Sequence, residues 1–454
     1  MHTLAQLKTG QLAGIARLQL SCGLTEFPRE IFDLADTLEI LDLSGNALSS
    51  LPADLARLTR LRIIFCSNNQ FTVLPAVLGQ CAQLTMIGFK SNRISEVPAD
   101  ALPPALRWLI LTDNEIAELP DAIGRCPQLQ KLMLAGNRLR GLPAALAACT
   151  QLALLRISAN QMTALPDWLT GMPQLAWLAY AGNQFGTPAG RPAADQATIA
   201  WDRLHIGRQL GEGASGIIHQ AVLDKEAESA GPRDVAVKLF KGAITSDGLP
   251  DCELAACILA GSHPNLIPVL GEVAGHPGGA HGCVMALVDR QYLNLAGPPS
   301  LDSCTRDVYL EAKSFTLEAL LRLATGIASA ALHLHSRGIL HGDLYAHNIL
   351  HTDAGDALLG DFGAASLFET TDPHAEELQK LEVRAFGMLL EELTARCESD
   401  ARLVPANLAI LASLTGLRDA CIQAPPAGRP MFGNVVKRLQ QQLETLKSVE
   451  KSYT

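Results

Sequence analysis

An asparagine recurs at nearly constant spacing through the first part of the chain. The recurring positions are Asn46, Asn69, Asn92, Asn114, Asn137, Asn160 and Asn183, separated by 23 residues with a single interval of 22. Around each runs the pattern L-x-x-L-x-L-x-x-N-x-φ, where φ is apolar, and a proline follows nearly every copy, as in "LEILDLSGNALSSLP". A short strand of this kind cannot bury its leucines alone, so the copies must stack and share one core.

This period and pattern resemble the leucine-rich repeat, whose units are 20–29 residues long. A degenerate copy, "ARLQLSCGLTEFP", stands at the start of the array. The resemblance implies an α/β leucine-rich repeat solenoid of about eight repeats over residues 1–187, in which each asparagine amide bonds neighbouring backbone. A stretch rich in Pro, Ala and Gly follows, and it predicts a linker over residues 188–202.

The repeat strands carry apolar residues at positions that alternation directs away from the core. These positions are Ile63, Phe65, Met86, Trp108, Ile110, Met133, Leu154 and Trp177. An exposed apolar and aromatic stripe on the concave face favours a binding surface for a protein partner or for the chain's own second domain. The alternative is a set of scattered surface apolar residues, which is common in proteins.

The composition of the chain bears on its possible binding partners and on its cellular compartment. The net charge of -10 gives no electrostatic signature for binding nucleic acid or an acidic membrane. The 11 cysteines form no C-x-x-C pair, which favours reduced thiols and a cytoplasmic protein, with delivery as a secreted effector left open. We see no signal peptide at the N-terminus. The apolar stretch "TLEALLRLATGIASAALHLH" contains Glu318 and Arg322 and is interpreted as a buried helix, not a membrane span.

The second half opens with a glycine-rich stretch, "LGEGASGIIHQA", that supplies Gly211, Gly213 and Gly216. Glycines let a hairpin backbone lie over phosphates without side-chain clash. A dinucleotide-binding fold can show the same letters, but a crossover helix would then follow. Here a second strand leads instead to "DVAVKLF", which places Lys238 on a third strand.

Carboxylate and amide residues come next in the chain. "SDGLPDCELAACILAG" predicts a helix with Glu253 as the partner of Lys238 and Asp251 as the fallback. "ILHGDLYAHNIL" contributes Asp343 and Asn348, and "LLGDFGAA" contributes Asp361. Magnesium prefers hard oxygen ligands, which Asn348 and Asp361 offer, and Asp343 can orient a hydroxyl and take its proton.

Taken in order, these motifs resemble the eukaryotic-like protein kinase family, and the whole chain resembles a leucine-rich repeat protein kinase. The resemblance implies an α+β bilobal kinase domain over residues 203–454 that uses ATP and Mg²⁺, with Mn²⁺ as an alternative ion. It assigns three sets of residues. ATP binding is assigned to Leu210, Gly211, Gly213, Gly216, Ile218 and Lys238, and to Met285, Ala286 and Val288 beside the adenine. Structural motifs are assigned to His341, Phe362, Gly363 and Arg429.

Three features depart from the family pattern. Gly342 replaces the arginine that in the family binds a phosphate on the activation loop. Tyr345 stands where serine/threonine kinases usually carry lysine, and His347 stands where tyrosine kinases often carry arginine. The segment after Gly363 is short and lacks A-P-E, so Glu369 is our predicted partner of Arg429. We therefore expect activity that does not depend on phosphorylation of the segment's hydroxyls, which are Ser366, Thr370 and Thr371.

Two alternatives stay open at this point. The H-G-D-L-x-x-x-N loop also resembles that of aminoglycoside and choline phosphotransferases, which act on small hydroxylated molecules. A pseudokinase scaffold is the other, although Lys238, Asp343 and Asp361 are all retained. The prediction is an ATP-dependent protein kinase, with serine or threonine favoured over tyrosine as the acceptor.

Overall fold

The structure is a computed structural model that describes residues 2–185, 198–213, 215–224, 231–242, 244, 245, 247–398 and 405–453. The chain divides into two compact units. The first comprises Met1–Leu175 and Asn183–Phe185, and the second comprises Ala176–Gly182 and Gly186–Thr454. Most of the predicted linker lies outside the described residues. The end of that stretch differs from the prediction, because Thr198–Ala200 forms a strand of the second unit.

The first unit is a parallel sheet of very short strands. Each strand pairs in parallel with the next one along the chain, at a constant register of one repeat. The strands are β1 (Arg17–Gln19), β2 (Ile40–Asp42), β3 (Ile63–Phe65), β4 (Met86–Gly88), β5 (Trp108–Ile110), β6 (Lys131–Met133) and β7 (Leu154–Arg156). A short helix, α1 (Leu4–Lys8), precedes them and is capped by the Thr3 side chain.

The recurring asparagines tie each repeat to the one before it. Asn114 accepts a hydrogen bond from the Ile94 N–H (2.9 Å) and donates to the carbonyls of Phe89 (2.9 Å) and Leu111 (3.0 Å). Asn137 and Asn160 repeat the arrangement one and two repeats later. These buried amides satisfy backbone groups that the turn would otherwise leave without partners.

The opposite edge of each repeat is a short 3₁₀ helix that a proline usually precedes. This proline stands just before the helix in extended backbone, with φ between −60° and −70° and ψ between 118° and 146°, a conformation that its fixed φ favours. The segments are Arg29–Leu34, Leu55–Arg57, Ala76–Gln80, Ala99–Ala101, Asp121–Arg125, Ala144–Ala148 and Asp167–Gly171. Cys81, Cys126 and Cys149 end three of them inside the core, where burial raises the pKa of each thiol to about 11.

The second unit begins with the strand of the last repeat, β8 (Trp177–Ala179), and continues with a twisted sheet and helices. The sheet order is β10-β11-β12-β14-β13-β9. Its strands are β9 (Thr198–Ala200), β10 (Leu204–Glu212), β11 (Gly216–Leu223), β12 (Arg233–Phe240), β13 (Val269–Ala274) and β14 (Gly282–Ala286). Helix α2 (Pro250–Ala260) begins with a proline in its first turn and buries most of its residues.

The larger part of the second unit is helical. Its helices are α3 (Leu317–Ser336), α4 (Ala375–Ala395), α5 (Pro405–Ile422) and α6 (Phe432–Tyr453). Short strands frame the loops between them: β15 (Leu293–Asn294), β16 (Ile339–Leu340), β17 (Ile349–His351), β18 (Ala357–Leu359) and β19 (Ser366–Leu367). Helix α3 is long and apolar enough to span a membrane by length and composition alone, but 61% of its apolar window is buried inside the protein. The structure thus agrees with a core helix.

Candidate active site

The glycine-rich stretch forms the turn between β10 and β11. Gly211 pairs with Ile218, and the Gly213 N–H donates to the Gly216 carbonyl (2.9 Å). A Cβ at Gly216 would lie 2.6 Å from the Leu239 carbonyl, so that glycine is required for close strand packing. Cβ atoms at Gly211 and Gly213 would meet nothing within 4 Å, so the space beside the turn is open. Leu210 is exposed beside it.

Lys238 and Glu253 form a buried ion pair between β12 and α2. The Lys238 ammonium also lies 3.4 Å from an Asp361 carboxylate oxygen. Burial acts to lower the pKa of Lys238, but the charges of Asp361 and Glu253 outweigh it and hold that pKa above its usual value. Asp251, the fallback partner, lies at the surface 3.6 Å from His281. Of the two acidic residues of α2, Glu253 is therefore the one that pairs with the lysine.

Asp343 and Asn348 are joined within residues 341–348, between β16 and β17, which we call the catalytic loop because it carries the motif that resembles that loop in kinases. The Asn348 Nδ2 donates to the backbone carbonyl of Asp343 (2.9 Å) and to its carboxylate (2.8 Å). With both amide hydrogens used in this way, Oδ1 is the Asn348 atom left to face a cation. The Gly360 N–H donates to the Asn348 carbonyl (3.0 Å), which brings the neighbouring Asp361 to the same loop.

Asp361 itself adopts a left-handed backbone conformation, with φ of 51°. Its carboxylate is about half exposed and accepts a hydrogen bond from the Gly363 N–H (3.2 Å). Desolvation acts to raise the pKa of Asp361, but Lys238 and the Gly363 N–H outweigh it and hold the pKa below its usual value. A non-glycine residue in this conformation is uncommon, although aspartate adopts it more readily than most residues. The result is an anionic oxygen ligand beside Lys238.

His341 and Phe362 pack against each other next to the loop that carries Asp361. His341 is fully buried and its Nε2 donates to the Gly360 carbonyl (2.8 Å). Its ring lies 5.2 Å from that of Phe362, which is also buried. Together these contacts hold the Asp361 loop against the catalytic loop.

His347 contacts a carboxylate that sequence reasoning missed. Its backbone N–H and its Nδ1 bond the two carboxylate oxygens of Asp307 (3.0 and 2.8 Å), and its Nε2 lies 3.9 Å from Asp343. Burial acts to lower the pKa of His347, but Asp307 and Asp343 outweigh it and raise the pKa. Asp307 lies in an irregular stretch with no motif around it, so no sequence signal marked it.

The predicted adenine residues lie at the end of β14. Met285 pairs with Ala236 of β12 and with Val269 of β13. The Ala286 N–H donates to the Pro268 carbonyl (2.9 Å), so it is already used inside the protein. Val288 follows after the strand ends. The Ala286 N–H is thus not available to a base, and the contacts of Met285, Ala286 and Val288 with adenine stay predictions.

Arg429 does not pair with Glu369 as expected. Its guanidinium donates to the carbonyls of Gln423 and Lys380 (3.1 Å each), and Glu369 is exposed. Burial and the neighbouring Arg384 charge lower the pKa of Arg429 to about 10. Glu369 ends a short segment that turns directly into α4, which keeps its carboxylate at the surface.

The apolar residues of the repeat strands are less exposed than predicted. Ile63, Met86 and Leu154 are buried, which corrects the expectation of exposure at these positions. Phe65, Trp108, Ile110 and Met133 are half-buried. The Trp108 indole donates to the Met133 sulfur (3.5 Å) and has the Lys131 ammonium 4.5 Å above its ring. Trp177 lies in the second unit, where its indole N–H donates to the Leu344 carbonyl (3.1 Å).

Both halves of the chain match known protein families. Residues 204–386 match the family described as protein tyrosine and serine/threonine kinase. Residues 127–185 and 37–58 match two leucine-rich repeat families.

Curated relatives are kinases and receptors that share parts of the chain. Fibroblast growth factor receptor 1 of Pleurodeles waltl is 30% identical over 36% of this chain and 21% of the receptor. The receptor of the same name from Xenopus laevis is 30% identical over 37% of this chain and 21% of its own length. A protein of Dictyostelium discoideum described as "Probable serine/threonine-protein kinase kinY" is 25% identical over 56% of this chain and 50% of that protein. The chain thus spans between about a fifth and a half of these relatives.

The fold, the order of the motifs and these matches agree, and the predicted fold class is confirmed. The chain consists of leucine-rich repeats followed by a protein kinase domain of the tyrosine and serine/threonine kinase family.

Proposed function

We propose that this protein transfers the γ-phosphate of ATP to a hydroxyl group of a protein. The observation that carries the proposal is the joined arrangement of Lys238, Glu253 and Asp361 with the pair Asp343 and Asn348. Phosphoryl transfer needs positioned phosphates, charge neutralisation and an aligned acceptor, and each of these needs has a residue here.

The nucleotide would be held from two sides. Lys238 stays protonated beside two carboxylates and can bind the α- and β-phosphates, while the open backbone at Gly211 and Gly213 can cover them. Glu253 keeps the lysine in place through the buried pair. The Ala286 N–H is bonded to the Pro268 carbonyl, so Val288, which lies beyond it, is our candidate for the residue that contacts the adenine base.

The residues present also fit a magnesium ion, with manganese as an alternative. Asp361 offers an ionised, half-exposed carboxylate, and Asn348 offers the Oδ1 left by its two bonds to Asp343. These hard oxygens suit Mg²⁺, which in kinases neutralises charge on the phosphoryl group being transferred.

Asp343 is our candidate for the catalytic base. Asn348 donates to its carboxylate at 2.8 Å and so fixes its orientation. In the proposed step the acceptor hydroxyl oxygen bonds the γ-phosphorus, its proton passes to Asp343, and the bond to the ADP oxygen breaks. A scaffold without catalysis would not require this set of side chains in one place, which favours an enzyme over a pseudokinase.

We further propose serine or threonine as the acceptor and a protein as the partner of the repeats. The family description covers both acceptor classes. The match to the Dictyostelium protein described as "Probable serine/threonine-protein kinase kinY" extends over 301 residues, against 176 and 179 for the two receptors, and this greater extent supports the choice. The half-buried residues Phe65, Trp108, Ile110 and Met133 are the predicted contacts for the partner.

Transfer of radiolabelled γ-phosphate tests the proposal directly. Wild type is assayed with Mg-ATP, casein as a generic protein acceptor and a panel of aminoglycosides, beside Asp343→Ala. The exposed Asp353→Ala serves as the matched control. We expect label in phosphoserine or phosphothreonine with wild type and Asp353→Ala, and none with Asp343→Ala. Label in the aminoglycosides instead would favour the small-molecule class, and no label with ATP still bound would favour a scaffold.

A further inference from the structure

The last repeat strand provides a tryptophan that packs on the catalytic loop. Trp177 is 2% exposed, and its indole N–H donates to the Leu344 carbonyl at 3.1 Å. Its ring stacks on that of Tyr345, with centroids 4.1 Å apart and planes 7° from parallel. Leu344 and Tyr345 directly follow Asp343, so the contact acts on the backbone next to the proposed base.

Three residues later, a tyrosine packs on the segment that follows Asp361. The Ser366 hydroxyl lies 2.8 Å from the Tyr180 backbone N–H and accepts its hydrogen bond, and the Tyr180 hydroxyl donates to the Leu367 carbonyl at 3.1 Å. Burial raises the pKa of Tyr180, so its phenol remains a donor at neutral pH. The equivalent position of the earlier repeats holds only residues without a hydroxyl: Leu43, Cys66, Phe89, Leu111, Leu134 and Ile157. A phenol at this position is therefore a local departure from the repeat.

Gly342 lies where these two contacts meet. Its φ is 72°, which disfavours any residue with a Cβ. A Cβ there would be 2.5 Å from the Ala364 carbonyl and 2.8 Å from the Leu178 carbonyl. Both obstacles are backbone atoms, which cannot rotate away as a side chain can. The arginine that the kinase family carries at this position could not be accommodated while the Leu178 backbone lies there.

We propose that the segment Ala176–Gly182, which we call the brace segment, holds the catalytic loop and the segment after Asp361 in their active arrangement, with Trp177 and Tyr180 as positioning residues. The inference rests on the proposed kinase activity. In the kinase family, an arginine at the position of Gly342 binds a phosphate on the activation loop and so orders it. Here we assign that ordering role to the brace segment, at the end of the repeats. Because Ser366 is fully buried and bonded to Tyr180, it is part of this contact and not a phosphorylation switch.

Variants of Trp177 distinguish a role in positioning the catalytic loop from a role in folding alone. Trp177→Leu removes the stacking and the hydrogen bond, whereas Trp177→Phe keeps an aromatic ring over Tyr345. Trp168→Leu, in the same repeat but on the 3₁₀ segment Asp167–Gly171, is the matched control. We expect kcat to fall about tenfold or more in Trp177→Leu with the KM for ATP changed less than about twofold, because misplacement acts on the reacting geometry and not on nucleotide binding. Trp177→Phe should recover most of kcat, and Trp168→Leu should stay near wild type.

Hydrogen exchange provides a readout that does not depend on activity. In full-length Trp177→Leu, we expect amides of residues 341–345 and 364–368 to exchange at least about tenfold faster than in wild type, with no such change in Trp168→Leu. Unchanged exchange in both stretches, or equal loss of kcat in Trp177→Leu and Trp168→Leu, would overturn the proposal. If wild type transferred no phosphate, the proposed function would fail, and the exchange result would still decide whether the brace segment orders these loops.

Discussion

The Glu382 carboxylate accepts a hydrogen bond of 2.7 Å from the backbone N–H of Gly342. The same carboxylate accepts from the His341 N–H (3.3 Å) and from the His335 Nε2 (2.7 Å). Glu382 belongs to α4, so this one buried side chain ties the catalytic loop to the central helix of the domain.

Glu382→Gln should destabilise the kinase domain by roughly 3 kcal/mol at pH 7, since removing one member of a buried charged network leaves the others unsatisfied. Desolvation acts to raise the pKa of Glu382, but His335, His341 and the Gly342 N–H outweigh it and hold the pKa below the ordinary 4.5. A lowered folded-state pKa stabilises the protein above pH 4.5, and this contribution is lost as pH falls through the folded-state pKa.

Thermal unfolding between pH 3.5 and 7.5 measures both effects. Glu382→Gln should lose less stability on acidification than wild type does. Glu376→Gln, at an exposed position in the first turn of the same helix, is the control and should follow wild type. Parallel acid dependence in wild type and Glu382→Gln would show that this carboxylate does not contribute.

Glu253→Gln should reduce kcat/KM for ATP by about tenfold to a hundredfold, because the buried Lys238 would lose its charged partner. Asp251→Asn changes the other acidic residue of the same helix turn, which contacts only His281 among its described ion-pair partners, and should stay within about twofold of wild type. Steady-state kinetics with varied ATP provides the measurement. Equal losses in the two variants would contradict the assigned pair.

Thr370 and Thr371 are exposed, and no arginine stands at position 342 to bind a phosphate placed on them. The double variant Thr370→Ala, Thr371→Ala should therefore transfer phosphate at a rate within about twofold of wild type, as should wild type treated with phosphatase. Ser366→Ala, which removes the acceptor for the Tyr180 N–H, should lower kcat by about threefold. A large loss in the double variant would establish a phosphorylation switch.

Asn114→Ala should lower the free energy of unfolding of the repeat unit by roughly 2 kcal/mol, since the Ile94 N–H and the Phe89 carbonyl would lose their buried partner. Gln161→Ala removes an exposed amide next to Asn160 and should change it by less than about 0.5 kcal/mol. Urea unfolding followed by circular dichroism compares the two. A loss in Gln161→Ala as large as that in Asn114→Ala would mean that the amide ladder is not the cause.

Sequence reasoning identified the parts of this protein that are local in the chain. The repeat asparagines and the motif residues Lys238, Asp343, Asn348 and Asp361 could be found because their spacing is itself the signal. Glu253 was preferred over Asp251 from the sequence, and the structure confirms that choice.

What sequence reasoning missed depends on contacts between distant residues. Tyr180 and Leu367 are 187 positions apart, and Asp307 and His347 are 40 apart with no motif around Asp307. The pairing of Glu369 with Arg429 was wrong because the shortened segment leaves the glutamate at the surface. Gly342 was recognised as a departure, but only its positive φ and the nearby Leu178 carbonyl give it a reason.

Separating ATP binding from phosphate transfer tests the central claim most directly. Equilibrium binding of a fluorescent ATP analogue and single-turnover transfer would be measured on the same preparations of wild type and Asp343→Asn with Mg²⁺. We expect the same affinity for the nucleotide within about threefold and a transfer rate at least about a hundredfold lower in Asp343→Asn, since the base acts on the acceptor and not on ATP. Equal transfer rates in the two proteins would contradict this expectation.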